Sequence, residues 1–394
     1  MRGGLFTESY DPIINGVSTS VKTLAAELEG SGHEPVIVAP RFPGFSDENG
    51  DFPVLRLPSW RTVFNPANPM VPPPLLRTRP PAALRDVRFD IVHTQQPFGL
   101  GRHGRVCARR LGVPLISTFH TLYNEYTHYF PFLPKPATHA LLVRTLRDYY
   151  NSCDVVAVPS RAAGEALRAL GITRAMSVVP TGVPAAPAVI PAAVEQTRKT
   201  FSLPPGVPVL LYVGRLAREK NLDLLVDAFA RVLEMEAAPP ILLLVGSGPY
   251  AEACRRRVHA AGIEEQVRFA GFLRRDQLAP VYAAATLFVF PSSTETQGVV
   301  LSEAQSFGLP CVVVRGGGAS EFVRDGIDAE VVSSDADVFA GTVRALLADA
   351  ERRRAMGQAA LASPLRPAPS DMARRMIALY ETACDASRAQ QALR

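Results

Sequence analysis

Two glutamates, Glu295 and Glu303, lie eight residues apart in a segment typical of a strand, a sharp turn and a helix. Residues 287–290 form a short apolar run, Pro291 stops it, and the hydroxyl side chains of residues 292–294 suit the start of a helix. Ligands of parallel sheets bind beyond the carboxyl ends of the strands, where both glutamates are expected. Because carboxylates only accept hydrogen bonds, this spacing predicts a ligand rich in hydroxyl groups.

Each glutamate alone also fits a simpler interpretation, in which Glu295 complements the helix dipole and Glu303 is a solvated helix position. The wider pattern is more specific, because residues 294–298 read Thr-Glu-Thr-Gln-Gly and residues 308–310 read Gly-Leu-Pro. It resembles the E-x(7)-E signature of family 4 of the retaining glycosyltransferases. That resemblance implies the GT-B fold and transfer of a sugar from a nucleotide diphosphate without a metal. It also implies that Glu295 holds hydroxyls of the donor sugar and that Glu303 holds the ribose.

Two cations accompany another predicted strand at residues 210–213. Arg215 follows the end of that strand, and Lys220 lies near the start of the next helix. Both side chains can converge with helix N–H groups on one diphosphate. The stretch resembles the G-R-x(3)-E-K-N motif of the same family, whose arginine and lysine bind the leaving diphosphate. The expected catalytic residues are His120, Arg215, Lys220 and Glu295.

The resemblance also implies where the donor lies. A glycine in the first loop, within residues 15–18, lies beside the donor phosphates, glycines after a later strand line the nucleotide, and the backbone at residues 272–273 recognises the base. The expected donor-binding residues are Gly16, Gly214, Gly246, Gly248, Phe272, Leu273, Thr296, Gln297, Gly298, Val299 and Glu303.

Two motifs permit other chemistry. Residues 246–251 match the dinucleotide fingerprint G-x-G-x-x-A, which indicates an oxidoreductase, but Pro249 replaces the usual residue and no acid follows the next strand. Residues 335–337 read Asp-Ala-Asp, the metal motif of the other main glycosyltransferase fold, but they are more typical of a helix N-cap. The resemblance implies that the active site holds no metal and that a UDP-sugar is the donor substrate, and we expect no cofactor.

The acceptor side is expected after a strand at residues 115–119. Residues 120–129 resemble a segment of the glycosyltransferases that glycosylate diacylglycerol and related lipids, and in the wider family the residue matching His120 reaches the donor sugar. The expected acceptor contacts are Tyr123, Tyr126, His128 and Tyr129. Tyrosines combine an apolar ring with a polar tip, which suits a lipid headgroup, although such a cluster also fits the edge of a core. His93 ends another strand and also fits a hydrogen-bonded structural residue.

The length of 394 residues suffices for two domains of ordinary size. Short apolar runs alternate with helical patterns, as in parallel sheets covered by helices. Together with the resemblance, this predicts an α/β chain with two Rossmann-like doubly wound domains facing a cleft. We expect an acceptor-binding domain at 1–184, a linker at 185–207, a nucleotide-sugar-binding domain at 208–365, and a C-terminal helix and tail at 366–394 that cross back to the first domain.

Composition bounds the cellular setting. Five scattered cysteines without metal or redox spacing favour a reducing compartment, and no apolar run reaches the roughly 18 residues of a membrane span. The net charge of +5 lies wholly in residues 1–184, which hold 19 Lys and Arg against 14 Asp and Glu. This excess of positive charge fits binding to an anionic membrane surface, or it has no binding partner at all. Nucleic acid is the least favoured partner, because the sequence has no cysteine and histidine spacing of a zinc site, no aromatic RNA-binding motif and no long basic run. We expect a cytoplasmic, peripherally membrane-associated protein.

Residues 58–81 hold eight prolines among 24 residues, and we expect no regular element there. Their composition favours a proline-stiffened surface excursion, while Trp60 and Phe64 also suit a loop that touches lipid or the acceptor.

These patterns predict a retaining glycosyltransferase that moves glucose or galactose from a UDP-sugar to a lipid acceptor such as diacylglycerol. Gln297 resembles the diacylglycerol branch, whereas the GDP-mannose mannosyltransferases often carry an aromatic residue there, so a mannosyltransferase on a lipid or soluble acceptor is the alternative. A glycoside hydrolase using Glu295 and Glu303 would leave Arg215 and Lys220 without a role. A protein that binds a nucleotide sugar as a signal, without turnover, is the remaining alternative.

Overall fold

Alternating strands and helices build two units, residues 1–182 with 368–394 and residues 183–367. The computed structural model describes residues 1–47, 50–62, 65–74, 81–123, 135–234 and 239–392. Each unit contains one parallel sheet with helices on both of its faces. The prediction of two doubly wound Rossmann-like domains is therefore confirmed.

In chain order, residues 1–182 contain β1 (Arg2–Phe6), α1 (Gly16–Gly30), β2 (Glu34–Pro40), β3 (Val54–Leu57), β4 (Trp60–Thr62), β5 (Asn65–Met70), β6 (Ile91–Thr94), α2 (Gly99–Leu111), β7 (Leu115–Thr118), α3 (Lys135–Tyr150), β8 (Val155–Val158), α4 (Arg161–Ala169) and β9 (Met176–Val178). Residues 183–367 contain α5 (Pro191–Thr200), β10 (Val209–Val213), α6 (Leu222–Leu233), β11 (Ile241–Val245), α7 (Ala251–Ala260), β12 (Val267–Gly271), α8 (Arg275–Ala284), β13 (Leu287–Phe290), α9 (Val299–Ser306), β14 (Cys311–Val314), β15 (Ala329–Val332), α10 (Ala336–Ala348) and α11 (Ala350–Leu361). The last helix is α12 (Pro369–Ala392).

The sheet of the first unit has the strand order β3-β2-β1-β6-β7-β8-β9, and all its neighbouring strands are parallel. The chain builds outward from β1 to β3 on one side and then from β6 to β9 on the other. Ligands of doubly wound sheets bind at such a switch point, beyond the carboxyl ends of the two central strands. The loops that follow β1 and β6 are therefore the first place to seek functional side chains.

The final helix α12 packs on the first unit, as predicted. Met372, Met376 and Tyr380 on α12 share a buried cluster with Val21 and Leu24 on α1. These apolar side chains recur every three or four residues, so they form one face of each helix. This face of the sheet is therefore packed against α1, near the start of the sequence, and α12, near its end.

Residues 58–81 depart from the prediction, because β4 and β5 form a two-stranded antiparallel sheet within them. Trp60 pairs with Met70 and Thr62 pairs with Asn65. Prolines lack the N–H that a central strand donates, but a two-stranded ribbon leaves one edge of each strand without a partner. Proline content alone therefore predicted the secondary structure of this segment poorly, because prolines exclude a central strand but permit an edge strand.

The sheet of the second unit has the strand order β12-β11-β10-β13-β14-β15 and is also parallel throughout. Its central strands are buried along their whole length, which explains their continuous apolar runs. The switch point lies between β10 and β13. α5, which falls inside the expected linker at 185–207, belongs to this unit and packs against α8.

Candidate active site

The loops after β10 and β13 meet at the switch point of the second unit. Lys220 follows β10, Glu295 follows β13, and the Lys220 Nζ lies 2.5 Å from the Glu295 Oε1. Each side chain keeps only 16% of its surface exposed, so this ion pair is largely shielded from water. The structure thus brings together a cation and an acceptor that the sequence placed on separate motifs.

Hydrogen bonds hold the backbone on both sides of this pair. The Thr294 hydroxyl donates to the Glu219 carbonyl at 3.0 Å, and the Asn221 amide donates to the Pro291 carbonyl at 3.3 Å. Asn221 has φ 55°, in the left-handed region, which ends the single 3-10 turn Arg218–Lys220 and begins α6. Asparagine tolerates this conformation better than most residues. The position of Lys220 is therefore fixed by its neighbours on each side.

A glycine loop after β14, residues 316–318, packs against the backbone of Glu295. The Gly318 N–H donates to the Glu295 carbonyl at 2.6 Å. Gly317 has φ 57°, and a Cβ at this position would lie 2.7 Å from the Glu295 carbonyl oxygen. Only glycine fits this close approach. The sequence showed the glycines but did not indicate that they support the backbone of Glu295.

Arg215 lies at the same edge of the sheet, with its side chain half exposed. One of its guanidinium nitrogens is 4.0 Å from the carboxylate of Glu219, whose side chain is only 5% exposed. Glu219 is a residue that the sequence reasoning did not assign, although it is the glutamate of the G-R-x(3)-E-K-N motif. Its carboxylate lies at the outer limit of ion-pair distance from the arginine that the motif supplies.

The helix after β13 begins later than predicted. Residues 292–294 do not cap it, because α9 starts at Val299 and its N-cap is Gly298, which has φ 76° and no side chain to offer. The hydroxyl of Thr294 is bonded to the Glu219 carbonyl instead. Thr296 and Gly298 lie in the turn itself, and Gln297 is buried. Gly298 gives α9 no side-chain cap, and in the first turn the Leu301 N–H donates to the Gly298 carbonyl at 2.9 Å, so the N–H groups before it are the candidates for contact with a ligand.

Glu303 is within α9, as predicted, but it is not a solvated helix position. Its carboxylate accepts a hydrogen bond from the Tyr282 hydroxyl at 3.0 Å. Burial raises the pKa of Glu303, and the charge of Arg275 opposes that rise. Tyr282, which the sequence did not single out, orients this carboxylate through one of its oxygens.

Two expected donor residues also have a clear packing role. Gly246 has φ 139° and Gly248 has φ 158°, and Cβ atoms there would lie 1.8 Å and 2.3 Å from the carbonyl oxygens of Gly214 and Leu216. The loops after β10 and β11 thus cross at backbone distance, which explains these glycines without a ligand. Phe272 follows β12 and is exposed.

Leu273 is partly buried and packs against the apolar cluster on one face of the second sheet. Gly214 leads from β10 into the loop that carries Arg215, and its N–H donates to the Val245 carbonyl at 3.0 Å. Contacts of these residues with a donor stay predictions.

In the first unit, His120 follows β7 and its Nε2 lies 2.7 Å from the Gln95 Oε1, just after β6. Since that amide oxygen only accepts, the Nε2 of His120 donates. Burial lowers the pKa of His120 to about 4, so the imidazole is neutral near pH 7. The structure places this neutral ring at the carboxyl end of the first sheet, where the sequence predicted it.

His93 has a structural environment. Its Nδ1 is 2.7 Å from the Tyr380 hydroxyl on α12, and its Nε2 is 2.7 Å from the Thr118 hydroxyl on β7. Burial lowers the pKa of His93 to about 3. Because both ring nitrogens are used inside the core, the interpretation of His93 as a hydrogen-bonded structural residue fits the structure.

Besides His120, the structure describes two further residues of the first unit that were expected to contact a substrate, Gly16 and Tyr123. Gly16 opens α1, but the Asn15 side chain already accepts from the N–H groups of Val17 and Ser18, at 3.0 Å and 2.9 Å. Tyr123 packs edge-on against Phe98, with ring centroids 5.1 Å apart, which is how a residue at the edge of a core behaves. The other expected acceptor contacts, Tyr126, His128 and Tyr129, lie outside the described residues.

Glu8 is a partly exposed acid with a largely enclosed carboxylate, and the sequence reasoning did not assign it. It follows β1, and its two carboxylate oxygens accept from the backbone N–H groups of Leu100 at 2.7 Å and Val71 at 3.3 Å. Burial raises the pKa of Glu8 to about 7. The carboxylate thereby joins the end of the β4–β5 sheet to the start of α2. An acid directly after the first strand was the available signal.

Asp335 caps α10 by accepting from the N–H groups of Asp337 and Val338, so the D-x-D motif is a helix N-cap. Within the described residues, no three His, Cys, Asp or Glu side chains are grouped so that they could hold a metal ion. In the same part of the chain, every helix is too short or too polar to cross a membrane.

Comparison with known proteins adds a family assignment for each half of the chain. The family described as "Glycosyltransferase Family 4" matches residues 14–186, and the family described as "Glycosyl transferases group 1" matches residues 193–362. The matches meet close to the boundary between the two structural units at residues 182–183.

Three curated relatives span most of this chain. An alpha-monoglucosyldiacylglycerol synthase of Streptococcus pneumoniae is 29% identical over 88% of this chain and 79% of its own, and one of Acholeplasma laidlawii is 27% identical over 83% of both. A GDP-mannose-dependent alpha-mannosyltransferase of Mycolicibacterium smegmatis is 31% identical over 90% of both chains.

Two solved structures share the fold. Sucrose-phosphate synthase from Thermosynechococcus elongatus superposes with a TM-score of 0.79 at 22% identity and covers 98% of this chain and 99% of its own. The Anabaena protein Alr3699/HepE in complex with UDP and glucose superposes with a TM-score of 0.76 at 17% identity, covering 96% and 99%. The GT-B fold expected from the sequence is confirmed.

Proposed function

Because the chain belongs to the group 1 glycosyltransferases of family 4, we propose that this hexosyltransferase moves glucose or galactose from a UDP-sugar to a lipid such as diacylglycerol. Two of its relatives are named as monoglucosyldiacylglycerol synthases, and the similarity extends over most of both chains. The enzyme would make a membrane glycolipid as its product. It would bind the donor with its own side chains and no metal.

The observation that carries this proposal is the arrangement of Lys220, Glu295 and the start of α9 at one sheet edge. An ammonium group and helix N–H groups stabilise a diphosphate, while a carboxylate accepts hydrogen bonds from sugar hydroxyls. Arg215 supplies a second cation from the same loop as Lys220. This edge therefore offers both kinds of contact that a nucleotide sugar requires.

In the proposed reaction, Lys220 and Arg215 stabilise the negative charge that develops on the departing diphosphate. Glu295 holds hydroxyls of the sugar, and Glu303, oriented by Tyr282, holds the ribose. The remaining donor contacts are those proposed from the sequence. In the first unit, neutral His120 is the proposed contact to the sugar.

The bond changes in the transfer are those that the resemblance to the retaining glycosyltransferases implies. The acceptor hydroxyl oxygen bonds to the anomeric carbon as the bond from that carbon to the diphosphate oxygen breaks. The electron pair of the broken bond leaves with the diphosphate, which also takes the acceptor proton. Attack on the face from which the diphosphate departs retains the anomeric configuration. No protein nucleophile takes part.

A GDP-mannose donor is the second candidate, and a specific observation favours it. The mannosyltransferase of Mycolicibacterium smegmatis is 31% identical over 90% of both chains, slightly more than either glucosyldiacylglycerol synthase. Gln297 stands where the sequence resemblance favours the diacylglycerol branch, and its side chain is buried in the turn before α9.

Access to a lipid acceptor requires contact with a membrane surface. We propose peripheral association on the cytoplasmic side through the first half of the chain, which carries the whole excess of positive charge. Basic surfaces are attracted to anionic lipids, and the attraction weakens as salt is added. Cosedimentation with anionic and neutral vesicles, at low and high salt, measures this contribution separately from catalysis.

The donor and acceptor are tested together by incubating the purified protein with diacylglycerol liposomes and UDP-glucose, UDP-galactose or GDP-mannose in parallel. Mass spectrometry of the lipids identifies the product. A hexosyl-diacylglycerol formed from one UDP-sugar supports the proposal. A mannolipid formed only from GDP-mannose replaces it with the second candidate, and diphosphate release without any glycolipid rejects the lipid acceptor.

A further inference from the structure

The ion pair between Lys220 and Glu295 joins two residues that the proposed function assigns to different parts of the donor. Lys220 binds the diphosphate and Glu295 binds sugar hydroxyls. In the structure the ammonium nitrogen is 2.5 Å from the carboxylate, and both groups are largely buried. A contact this short and this shielded is among the stronger kinds of charge-assisted hydrogen bond.

Both partners are held in place by other contacts. The glycine loop 316–318 fixes the Glu295 backbone, and the bonds from Thr294 and Asn221 fix the loop that carries Lys220. The pair therefore opens by rotation of the two side chains, while the supporting loops keep their conformation. Long side chains change rotamer rapidly compared with enzyme turnover.

A phosphate and a carboxylate repel each other when they share one ammonium group, because both carry negative charge. A diphosphate that approaches Lys220 therefore displaces Glu295, and the displaced carboxylate is then available to accept from sugar hydroxyls. When the sugar has been transferred, Glu295 loses those hydroxyls and can return to Lys220. Its return weakens the hold of the protein on the diphosphate product.

We propose that Glu295 and the donor diphosphate compete for Lys220, so that Glu295 both binds the sugar and promotes release of the nucleoside diphosphate. This inference rests on the proposed function, since it assumes that Lys220 contacts the diphosphate. A pair that is closed nine-tenths of the time would weaken the apparent affinity for the diphosphate about tenfold. The sugar offsets this competition in the intact donor, because it supplies new partners for Glu295.

The test is the affinity of UDP and of GDP for the full-length protein and for Glu295→Gln, measured by isothermal titration calorimetry. Glutamine keeps the shape of the side chain and removes the charge that attracts Lys220. We expect Glu295→Gln to bind the nucleoside diphosphate about tenfold more tightly than the parent protein while its transfer rate falls. Glu295→Ala serves as a second variant in case Glu295→Gln does not fold.

Lys220→Ala separates competition from simple repulsion between charges. If Glu295 acts by occupying Lys220, Glu295→Gln has no tightening effect in a Lys220→Ala background. If it acts by repelling phosphate through space, the tightening persists in that background and the inference is rejected. Glu330→Gln is the matched control, because it removes a carboxylate that is 16% exposed, like that of Glu295, but pairs with Arg352 and not with Lys220. It should not tighten binding.

Failure of this inference can be distinguished from failure of the proposed function. Equal or weaker diphosphate binding by Glu295→Gln, with normal binding by the parent protein, rejects the competition and leaves the glycosyltransferase proposal intact. If the parent protein and every variant bind neither UDP nor GDP, the assignment of Lys220 to the diphosphate is wrong and both proposals fall.

Discussion

Tyr380→Phe is expected to destabilise the first unit through a single lost hydrogen bond. The Tyr380 hydroxyl on α12 lies 2.7 Å from the Nδ1 of His93, and the two residues are only 1% and 0% exposed. Phenylalanine keeps the ring, which contacts the imidazole edge-on at 5.7 Å, and leaves the nitrogen without this partner. A buried polar atom left without a partner costs about 1–3 kcal/mol.

Urea unfolding followed by circular dichroism and by fluorescence measures this loss in the free energy of unfolding. For a unit of roughly 200 residues, each kcal/mol lowers the melting temperature by about 2–4 °C. Tyr250→Phe is the matched control, since the Tyr250 hydroxyl donates to Asp223 at the same distance of 2.7 Å but in a more exposed setting.

The control should cost less than about 1 kcal/mol, because its partner carboxylate remains hydrated. A loss below about 0.5 kcal/mol for Tyr380→Phe would contradict this prediction and show that the nitrogen of His93 keeps a partner, because water or another group replaces the hydroxyl. A loss in catalysis without a loss in stability would also contradict it.

Three further predictions concern the site and its supports. Lys220→Ala should lower turnover about 100- to 1000-fold, since it removes a preorganised charge from the leaving group. Gly317→Ala should destabilise the second unit by more than about 2 kcal/mol, as measured by urea unfolding, because it adds a left-handed alanine and a Cβ 2.7 Å from a backbone oxygen. Stability of the first unit should fall as the pH falls below 6.5. In the folded protein the pKa values of His93 and His120 are lowered from 6.5 to about 3 and 4. As the pH falls, these histidines therefore take up protons in the unfolded chain before they do so in the folded protein, which favours unfolding. Each histidine contributes up to about 1.4 kcal/mol per pH unit, and Glu8, whose pKa is raised from 4.5 to about 7, opposes one of them between pH 4.5 and 6.5.

Each of these three has a matched control. Lys199→Ala removes an exposed lysine on α5 and should leave turnover unchanged, so an equal effect of both lysine variants would contradict the assignment of Lys220. Gly326→Ala also creates a left-handed alanine, at φ 72°, but meets open space and should cost only about 1–2 kcal/mol. His120→Gln should reduce the slope of stability against pH between 4 and 6.5, and an unchanged slope would show that His120 does not titrate as described.

Much of the fold could be predicted from the sequence because parallel strands are buried on both faces. Continuous apolar runs such as residues 287–290 therefore indicate strands directly, and strands separated by helical patterns leave few possible topologies. The β4–β5 sheet was missed because its prolines suit only edge strands, which the apolar pattern does not report. The start of α9 was misplaced because its N-cap is a left-handed glycine, whereas the preceding hydroxyl residues bond to another loop.

Candidate site residues could be named from the sequence where a motif specifies the residue type. Their contacts could not be predicted, because those contacts depend on which residues the fold buries next to each other. Lys220 and Glu295 were found on separate motifs, but their mutual ion pair depends on how β10 and β13 lie side by side. The hydrogen bond from Tyr282 to Glu303 and the contact of Glu8 with Leu100 likewise join residues distant in sequence. No local pattern carries such information.

The most direct test of the central claim is whether nucleoside diphosphate release from a UDP-sugar depends on diacylglycerol. The measurement follows UDP and glycolipid together, with UDP-glucose and UDP-galactose, in liposomes with and without diacylglycerol. We expect one glycolipid for each UDP released, and little release when diacylglycerol is left out. Release at the same rate without diacylglycerol, or no release from either donor with it, would contradict the claim that this enzyme transfers a hexose from UDP to lipid.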